Sequence, residues 1–167
     1  MPRIMKTLLI LSMLMSLFGC GKGNDNKKPE GAFKEYEYRE TTMREYPCEY
    51  YLLENTEESG LTLTWAKHNS DFTVLRVPEE AAEKVTALVN EHKLHKLKNS
   101  YRPPFDVRDG TMWHVYIRYE KSRISCSADN AWPPKELWAG IEAINAYLDG
   151  LIEVSKEEDI IEIKKDR

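Results

Sequence analysis

The sequence lacks a long hydrophobic run, a cluster of basic residues and the glycine-rich motifs that bind phosphate. Its most apolar run, residues 7–18, is too short for a membrane-spanning helix, which needs about 20 residues. The net charge is −4 with Lys and Arg dispersed, so nucleic acid is not an expected partner. Neither GxxxxGK nor GxGxxG occurs, which removes two common nucleotide-binding motifs. The 167 residues are about enough for one domain with a core.

What is present begins at the N-terminus, where two basic residues precede the apolar run. Arg3 and Lys6 are followed by residues 7–18 and then by the small residue Gly19 and by Cys20. A charged start, a short apolar middle and a small residue before the cut are typical of a secretory signal. The sequence therefore predicts export from the cytoplasm.

This segment resembles the signal peptide of bacterial lipoproteins, whose lipobox ends in a cysteine. The match lies at Leu17, Gly19 and Cys20, whereas Phe18 stands where a smaller residue is usual. The resemblance implies that residues 1–19 are a signal peptide and that Cys20 is lipidated and becomes the new N-terminus. It also implies a bacterial membrane location, facing the periplasm or the cell surface, and the outer membrane in a Gram-negative host. An ordinary cleaved signal is the alternative.

Composition and hydrophobic spacing divide the rest of the chain into a tether, one domain and a tail. Residues 20–31 are polar and glycine-rich, which predicts a flexible tether. Residues 32–155 form a single α+β domain, and residues 156–167 are a mostly charged tail, in which residues 160–163 either add an edge strand or stay loose.

The predicted domain is a small antiparallel sheet with two helices packed on one face. Apolar residues alternate along about five or six segments, most clearly in residues 61–66, 72–77, 112–119 and 123–127. Helical spacing predicts one helix from Pro78 to about Leu97 and a second from Lys135 to Asp149, stopped by Gly150. Strands and helices in this order favour helices on one side of an antiparallel sheet.

Two cysteines remain beside the lipidated one. Cys48 and Cys126 would both lie outside the cytoplasm, where disulfides persist. They either form a disulfide bond or are two unrelated buried thiols, and the sequence does not decide between these interpretations.

The second half of the domain resembles a domain of uncharacterised bacterial lipoproteins, and this resemblance covers residues 60–150. In that domain an Asp-Gly turn precedes a Trp-led strand, a second strand, an N-A-x-P segment and a closing helix. The matching residues here are Asp109, Gly110, Trp113, Val115, Ile117, Tyr119, Asn130, Ala131 and Pro133. The resemblance carries no activity.

The histidines and serines do not complete a catalytic or metal-binding set. His92 and His95 can share a helix face, with His68 or His114 nearby, but no third or fourth ligand completes a zinc set. His114 could pair with Ser125 or Ser127, yet there is no GxSxG turn. We therefore predict no catalytic residue, no metal and no cofactor.

Aromatic and basic residues on two proline-stiffened loops are the best candidates for binding. They are Tyr101, Arg102, Phe105, Arg108 and Trp132, with Trp138 close by. Tyr, Trp and Arg commonly anchor protein interfaces. The alternative, which we favour on area alone, is that Phe105 and Trp132 plug the ends of the sheet.

These observations predict a lipid-anchored envelope protein that is not an enzyme and binds another envelope or secreted macromolecule. One specific form is an inhibitor or immunity protein against a toxin or lytic enzyme. The other classes left open are a hydrolytic or metal-dependent envelope enzyme and a purely structural component.

Overall fold

Eight strands form one mixed sheet that carries two α-helices on one face. The structure, a computed structural model, describes residues 25–105, 107 and 110–165. The strands are β1 (Phe33–Thr41), β2 (Glu49–Thr56), β3 (Gly60–Lys67), β4 (Phe72–Arg76), β5 (Ser100–Tyr101), β6 (Met112–Tyr119), β7 (Arg123–Asp129) and β8 (Ile160–Lys164). The helices are α1 (Glu80–Glu91) and α2 (Lys135–Val154). The predicted signal peptide and the predicted lipidation site, Cys20, lie outside the described residues.

The strand order is β5-β7-β6-β1-β2-β3-β4-β8, and all neighbours but one are antiparallel. The exception is β5, which runs parallel to β7 for two residues. The predicted α+β class is confirmed, while the prediction of five or six antiparallel strands is too low and misses the parallel pair. Strand β5 is short because Pro103 and Pro104 follow one residue after its end, and proline cannot donate to a strand ladder.

The two faces of the sheet differ because side chains alternate along each strand. The helix-covered face contains the large buried residues, which include Tyr36, Tyr38, Tyr51, Leu53, Leu63, Trp113, Val115, Ile117 and Ile124. Val85, Val89, Ile141, Ile144 and Leu148 meet them from the helices. The other face, which we call the open face, presents Glu35, Glu37, Arg39, His114, Tyr116 and Arg118 at the matching registers.

Helix α1 ends earlier than its apolar spacing predicts. It stops at Glu91, and Lys93 takes a left-handed conformation with φ of 54° before a short 3-10 helix, Leu94–Lys96. The predicted end near Leu97 is wrong by about one turn and a half. Leu94 and Leu97 are nevertheless fully buried, so burial of these two side chains offsets the cost of the break.

Helix α2 runs past Gly150 to Val154, so the predicted stop at Gly150 is wrong. Gly150 is exposed, and a Cβ placed there would meet no atom within 4 Å. Gly140 in the same helix is different, because a Cβ there would lie 2.5 Å from His92 Cβ and 2.8 Å from Leu94 Cδ2. The end of α1 therefore crosses α2 at Gly140.

We predict that Gly140→Ala and Gly150→Ala change stability in opposite directions. Gly140→Ala forces the end of α1 away from α2 and should lower the free energy of unfolding by about 1–3 kcal/mol. Gly150→Ala adds only helix propensity and should raise it by about 0.8 kcal/mol. Urea denaturation of both variants measures the difference. Equal effects at the two positions would contradict the close crossing.

Both predicted ends of the domain need correction. Asn26, within the predicted tether, exchanges hydrogen bonds with Ser125 at 2.7 and 3.1 Å, and the amide of Glu30 donates to Ser122 Oγ at 2.9 Å. The second half of residues 20–31 is therefore fixed to the domain, because these bonds satisfy backbone groups of β7. At the other end, β8 pairs with β4, so the edge-strand alternative for residues 160–163 is confirmed and the domain extends beyond 155.

The cysteine pair does not form a disulfide. Both thiols are free, with Cys126 buried and Cys48 partly buried. Cys126 pairs through Val115 and Tyr38 to Tyr51, three residues beyond Cys48 in sequence. Three strand spacings amount to roughly 14 Å, about twice the largest Cα separation that a disulfide bridges.

Candidate binding site

Exposed apolar side chains collect at one end of the sheet. Thr41 at the end of β1 pairs with Met112 at the start of β6, which pairs with Asp129 at the end of β7. The loops that leave these strand ends therefore lie side by side. They carry six exposed large apolar residues, which we call the apolar rim: Met43, Tyr46, Phe105, Val107, Met112 and Trp132.

Trp113 is the buried support beneath this rim. Its ring centroid lies 6.5 Å from that of Tyr101 in a stacked arrangement and 5.1 Å from that of Trp138 in α2. Its indole Nε1 donates to the carbonyl of Ala131 at 3.0 Å. One side chain therefore contacts strand β5, the loop after β7 and helix α2.

The loop after β7 is shaped by Asn130. This residue has a positive φ of 49°, its amide donates to the Thr111 carbonyl at 2.9 Å, and its Oδ1 accepts from the Thr111 amide at 2.9 Å. A Cβ at Gly110 would lie 1.7 Å from the same Oδ1, so only glycine fits there. The Asp-Gly and Asn-Ala elements of the sequence motif thus meet at this point, although Asp109 itself lies outside the described residues.

A basic pocket opens beside the rim on the open face. It has a cavity volume of about 300 Å³, and its lining includes Arg39, Thr41, Arg102, Met112, His114, Ser127 and the acidic Asp129. Arg102 comes from the loop after β5, whereas Arg39 and His114 are brought together by the register of β1 and β6. Two guanidinium groups beside an apolar wall suit a carboxylate or another small anionic group.

The charge in this pocket is fixed mainly by Arg39. Its guanidinium lies 2.6 Å from Glu37, and this hydrogen bond raises the pKa of Arg39 although partial burial opposes the rise. Burial lowers the pKa of His114, which leaves its imidazole neutral at pH 7. Arg39 and Arg102 therefore bring two positive charges to the pocket, which Glu37 and Asp129 partly offset, and His114 is a neutral hydrogen-bonding group there.

His114 and Ser127 do meet, as one of the two predicted pairings expects. Nδ1 of His114 lies 2.9 Å from Ser127 Oγ. However, Ser127 sits in the middle of a strand ladder and its amide donates to the Asn99 carbonyl at 3.0 Å. That amide is not free to stabilise an oxyanion, and the serine is not on the sharp turn that a hydrolytic nucleophile needs.

The structure places the predicted binding residues in different environments. Phe105 and Trp132 are 69% and 51% exposed, so the alternative in which they plug the sheet is wrong. Arg102 is exposed and lines the basic pocket. Tyr101 is instead half-buried against Trp113 and supports the site from below. Arg108 lies outside the described residues.

Sequence reasoning missed four of the six rim residues, Met43, Tyr46, Val107 and Met112, and it missed Arg39 in the pocket. Met112 and His114 had a usable signal, since alternation along β6 puts both on the face opposite Trp113. No local pattern in the sequence indicates the position of Arg39 in the pocket, because that position depends on the pairing of β1 with β6, more than 70 residues later in the chain.

A second cluster lies at the same end of the sheet, in the turns at residues 42–48 and 68–71. Glu45, Cys48 and His68 have ligand atoms that all lie within 4.8 Å of one another. Burial, followed by a hydrogen bond to Glu45, raises the pKa of the Cys48 thiol to about 12. Hydrogen bonds from Cys48 and then His68 lower the pKa of Glu45. Within the part of the chain that the structure describes, no other such group of three was found, so His92 and His95 do not form one.

Comparisons with family models, curated proteins and solved structures gave no match to this chain. Among the helices of the described residues, none has both the length and the apolar character needed to cross a membrane.

Proposed function

We propose that this chain is a lipid-anchored protein of the bacterial envelope that binds a protein partner and is not an enzyme. The observation that carries the proposal is the apolar rim, because six large apolar side chains lie exposed at one end of the sheet. Groups of exposed apolar side chains commonly mark sites of protein interaction.

The basic pocket specifies the chemistry of the partner. Arg39 and Arg102 lie next to Met112 of the rim, so the site combines cationic and apolar groups. Its complement is a protein surface on which an acidic side chain, or a C-terminal carboxylate, stands beside exposed apolar residues. Arginine and aromatic residues at the centre of an interface supply most of its binding energy. An inhibitor or immunity role is one form that such a partnership takes.

The anchor would hold this domain close to the membrane. Residues from Asn26 onwards are bound to β7, which leaves about five residues between the domain and Cys20. Five to six extended residues reach at most about 20 Å. The resemblance to lipoprotein signals and domains supports this location, and an anchor of several acyl chains would make it stable.

The proposal predicts capture of one partner through the rim. The full chain, kept in mild detergent, is immobilised and exposed to envelope extract and culture supernatant of its own host, and bound proteins are identified by mass spectrometry. Phe105→Ala combined with Trp132→Ala should weaken binding of the purified partner by about 100-fold or more, since interface aromatics contribute about 2 kcal/mol each. Arg102→Glu should also weaken binding of the partner, and this loss of affinity should be larger at low salt than at high salt.

The matched control is Ile161→Ala combined with Ile163→Ala, which removes two exposed apolar side chains from β8 at the far edge of the sheet. Binding should survive this change. Affinity that is equally reduced by both double variants, or reduced by neither, would contradict a site at the rim. An empty capture with folded protein would contradict the proposed function.

A further inference from the structure

The turns at residues 42–48 and 68–71 are locked together by backbone hydrogen bonds. The amide of His68 donates to the Cys48 carbonyl at 3.0 Å, and that of Asn69 donates to the Pro47 carbonyl at 3.1 Å. His68 and Asn69 both have positive φ, which turns the chain sharply between β3 and β4. The amide of Tyr46 donates to Asn69 Oδ1 at 2.6 Å. The side chains on these turns are therefore held near one another by the backbone.

This arrangement gathers a thiol, an imidazole and a carboxylate. Nδ1 of His68 lies 3.4 Å from Glu45 Oε2, and Cys48 completes a triangle whose ligand atoms lie within 4.8 Å of one another. From this geometry we propose that Glu45, Cys48 and His68 bind a Zn²⁺ ion. Glu45 and Cys48 lie on the same turn as Met43 and Tyr46 of the apolar rim, but the existence of the metal site does not depend on the proposed function.

The distances and ligand types fit zinc. Bonds of about 2.0–2.3 Å at tetrahedral angles place ligand atoms about 3.5 Å apart, so the three side chains need to draw together by roughly 1 Å. A thiolate with an imidazole and one carboxylate favours zinc over calcium or magnesium, which prefer oxygen ligands. On binding, the Cys48 thiol releases its proton to solvent, and the charges of thiolate and carboxylate balance that of the ion.

A fourth ligand would come from Glu40 or from water. The Glu40 carboxylate lies close enough to form a hydrogen bond with the Cys48 thiol, and its Oε2 accepts a hydrogen bond from Tyr38 at 2.8 Å. Tyr38 thus orients this carboxylate, as residues behind metal ligands commonly do. A bound ion would fasten the 42–48 turn, which carries Met43 and Tyr46, to the turn after β3.

The test uses the full chain in detergent, freed of metal with a chelator and then titrated with Zn²⁺ by calorimetry and with Co²⁺ by absorbance. We expect one ion per chain and the charge-transfer band of a Co²⁺–thiolate bond. Cys48→Ser should abolish that band, and Cys48→Ser and His68→Gln should each weaken Zn²⁺ binding by about 100-fold or more. Circular dichroism checks that both variants fold.

His114→Gln and Cys126→Ala are the controls, because they remove a histidine and a thiol that lie outside the cluster. Both should bind Zn²⁺ with unchanged affinity. Absence of binding by the unaltered chain would overturn the proposal. A Co²⁺–thiolate band that persists in Cys48→Ser, or that disappears in Cys126→Ala, would also overturn it.

Discussion

Replacing Trp113 by alanine should lower the free energy of unfolding by about 4 kcal/mol. Trp113 is 2% exposed, and it contacts Tyr101 and Trp138 through its rings and the Ala131 carbonyl through its indole. Alanine would leave a large cavity and an unpaired carbonyl in the support beneath the rim. Domains of this size are stable by only about 5–15 kcal/mol, so the loss is a large part of the total.

The chain offers a matched control for this substitution. Trp132 is also a tryptophan in the same region, but it is half exposed, and Trp132→Ala should change the free energy of unfolding by less than about 0.5 kcal/mol. Urea denaturation followed by far-ultraviolet circular dichroism measures both. Trp113→Phe should lie between them, because it retains a ring and loses the hydrogen bond to Ala131. A similar loss for Trp113→Ala and Trp132→Ala would contradict the division into support and rim.

The burial of Trp113 is an example of what the sequence alone could predict. Alternation along β6 predicted Trp113, Val115, Ile117 and Tyr119 on one face, and all four are buried. Helical spacing likewise predicts Leu137, Ile141, Ile144 and Leu148 as the inner stripe of α2; the last three are buried, and Leu137 is partly buried against the same core. Both patterns are local, so they depend only on the period of a strand or a helix.

The features that sequence did not predict depend on contacts between distant segments. Arg39 reaches His114 only through the β1–β6 register, and Glu45 reaches His68 only because two separate turns are adjacent. The break at Lys93 is similar, since a left-handed lysine is unfavourable by itself and is held by the burial of Leu94 and Leu97. Two-residue strand β5 is too short to leave any periodic signal.

The protein should also lose stability steeply above pH 10 because of three tyrosines on the helix-covered face. Tyr36 donates its hydroxyl hydrogen to Asn145 Oδ1 at 2.6 Å, Tyr38 to Glu40 at 2.8 Å, and Tyr51 to Asp149 at 2.6 Å. Each acceptor is an amide or carboxylate oxygen, which cannot donate a hydrogen bond. The bond therefore exists only while the tyrosine hydroxyl is protonated. Burial, followed by the neighbouring carboxylates, raises the pKa of all three tyrosines above its ordinary value.

The sign follows from the protons bound in each state. In the unfolded chain a tyrosine ionises near pH 10, while the folded protein keeps these three protonated, so the unfolded state binds fewer protons above that pH. The contribution of these tyrosines to stability is therefore complete well below pH 10 and falls as the pH rises through and above 10. The loss is about 1 kcal/mol per tyrosine between pH 10 and pH 11, or about 3 kcal/mol for the three. Burial also raises the pKa of Cys126 to about 12, which adds to the loss in the same direction.

Urea denaturation between pH 8 and pH 11.5 measures this dependence, and Tyr38→Phe isolates one tyrosine. The variant starts less stable, because Glu40 loses its hydrogen bond, but its stability should decline less steeply above pH 10 by about 1 kcal/mol per pH unit. Tyr46→Phe, which removes an exposed hydroxyl of the rim, is the control and should keep the original slope. A flat profile from pH 8 to pH 11, or an equal slope in Tyr38→Phe and the unaltered chain, would mean that these hydroxyls ionise as readily in the folded protein as in the unfolded one.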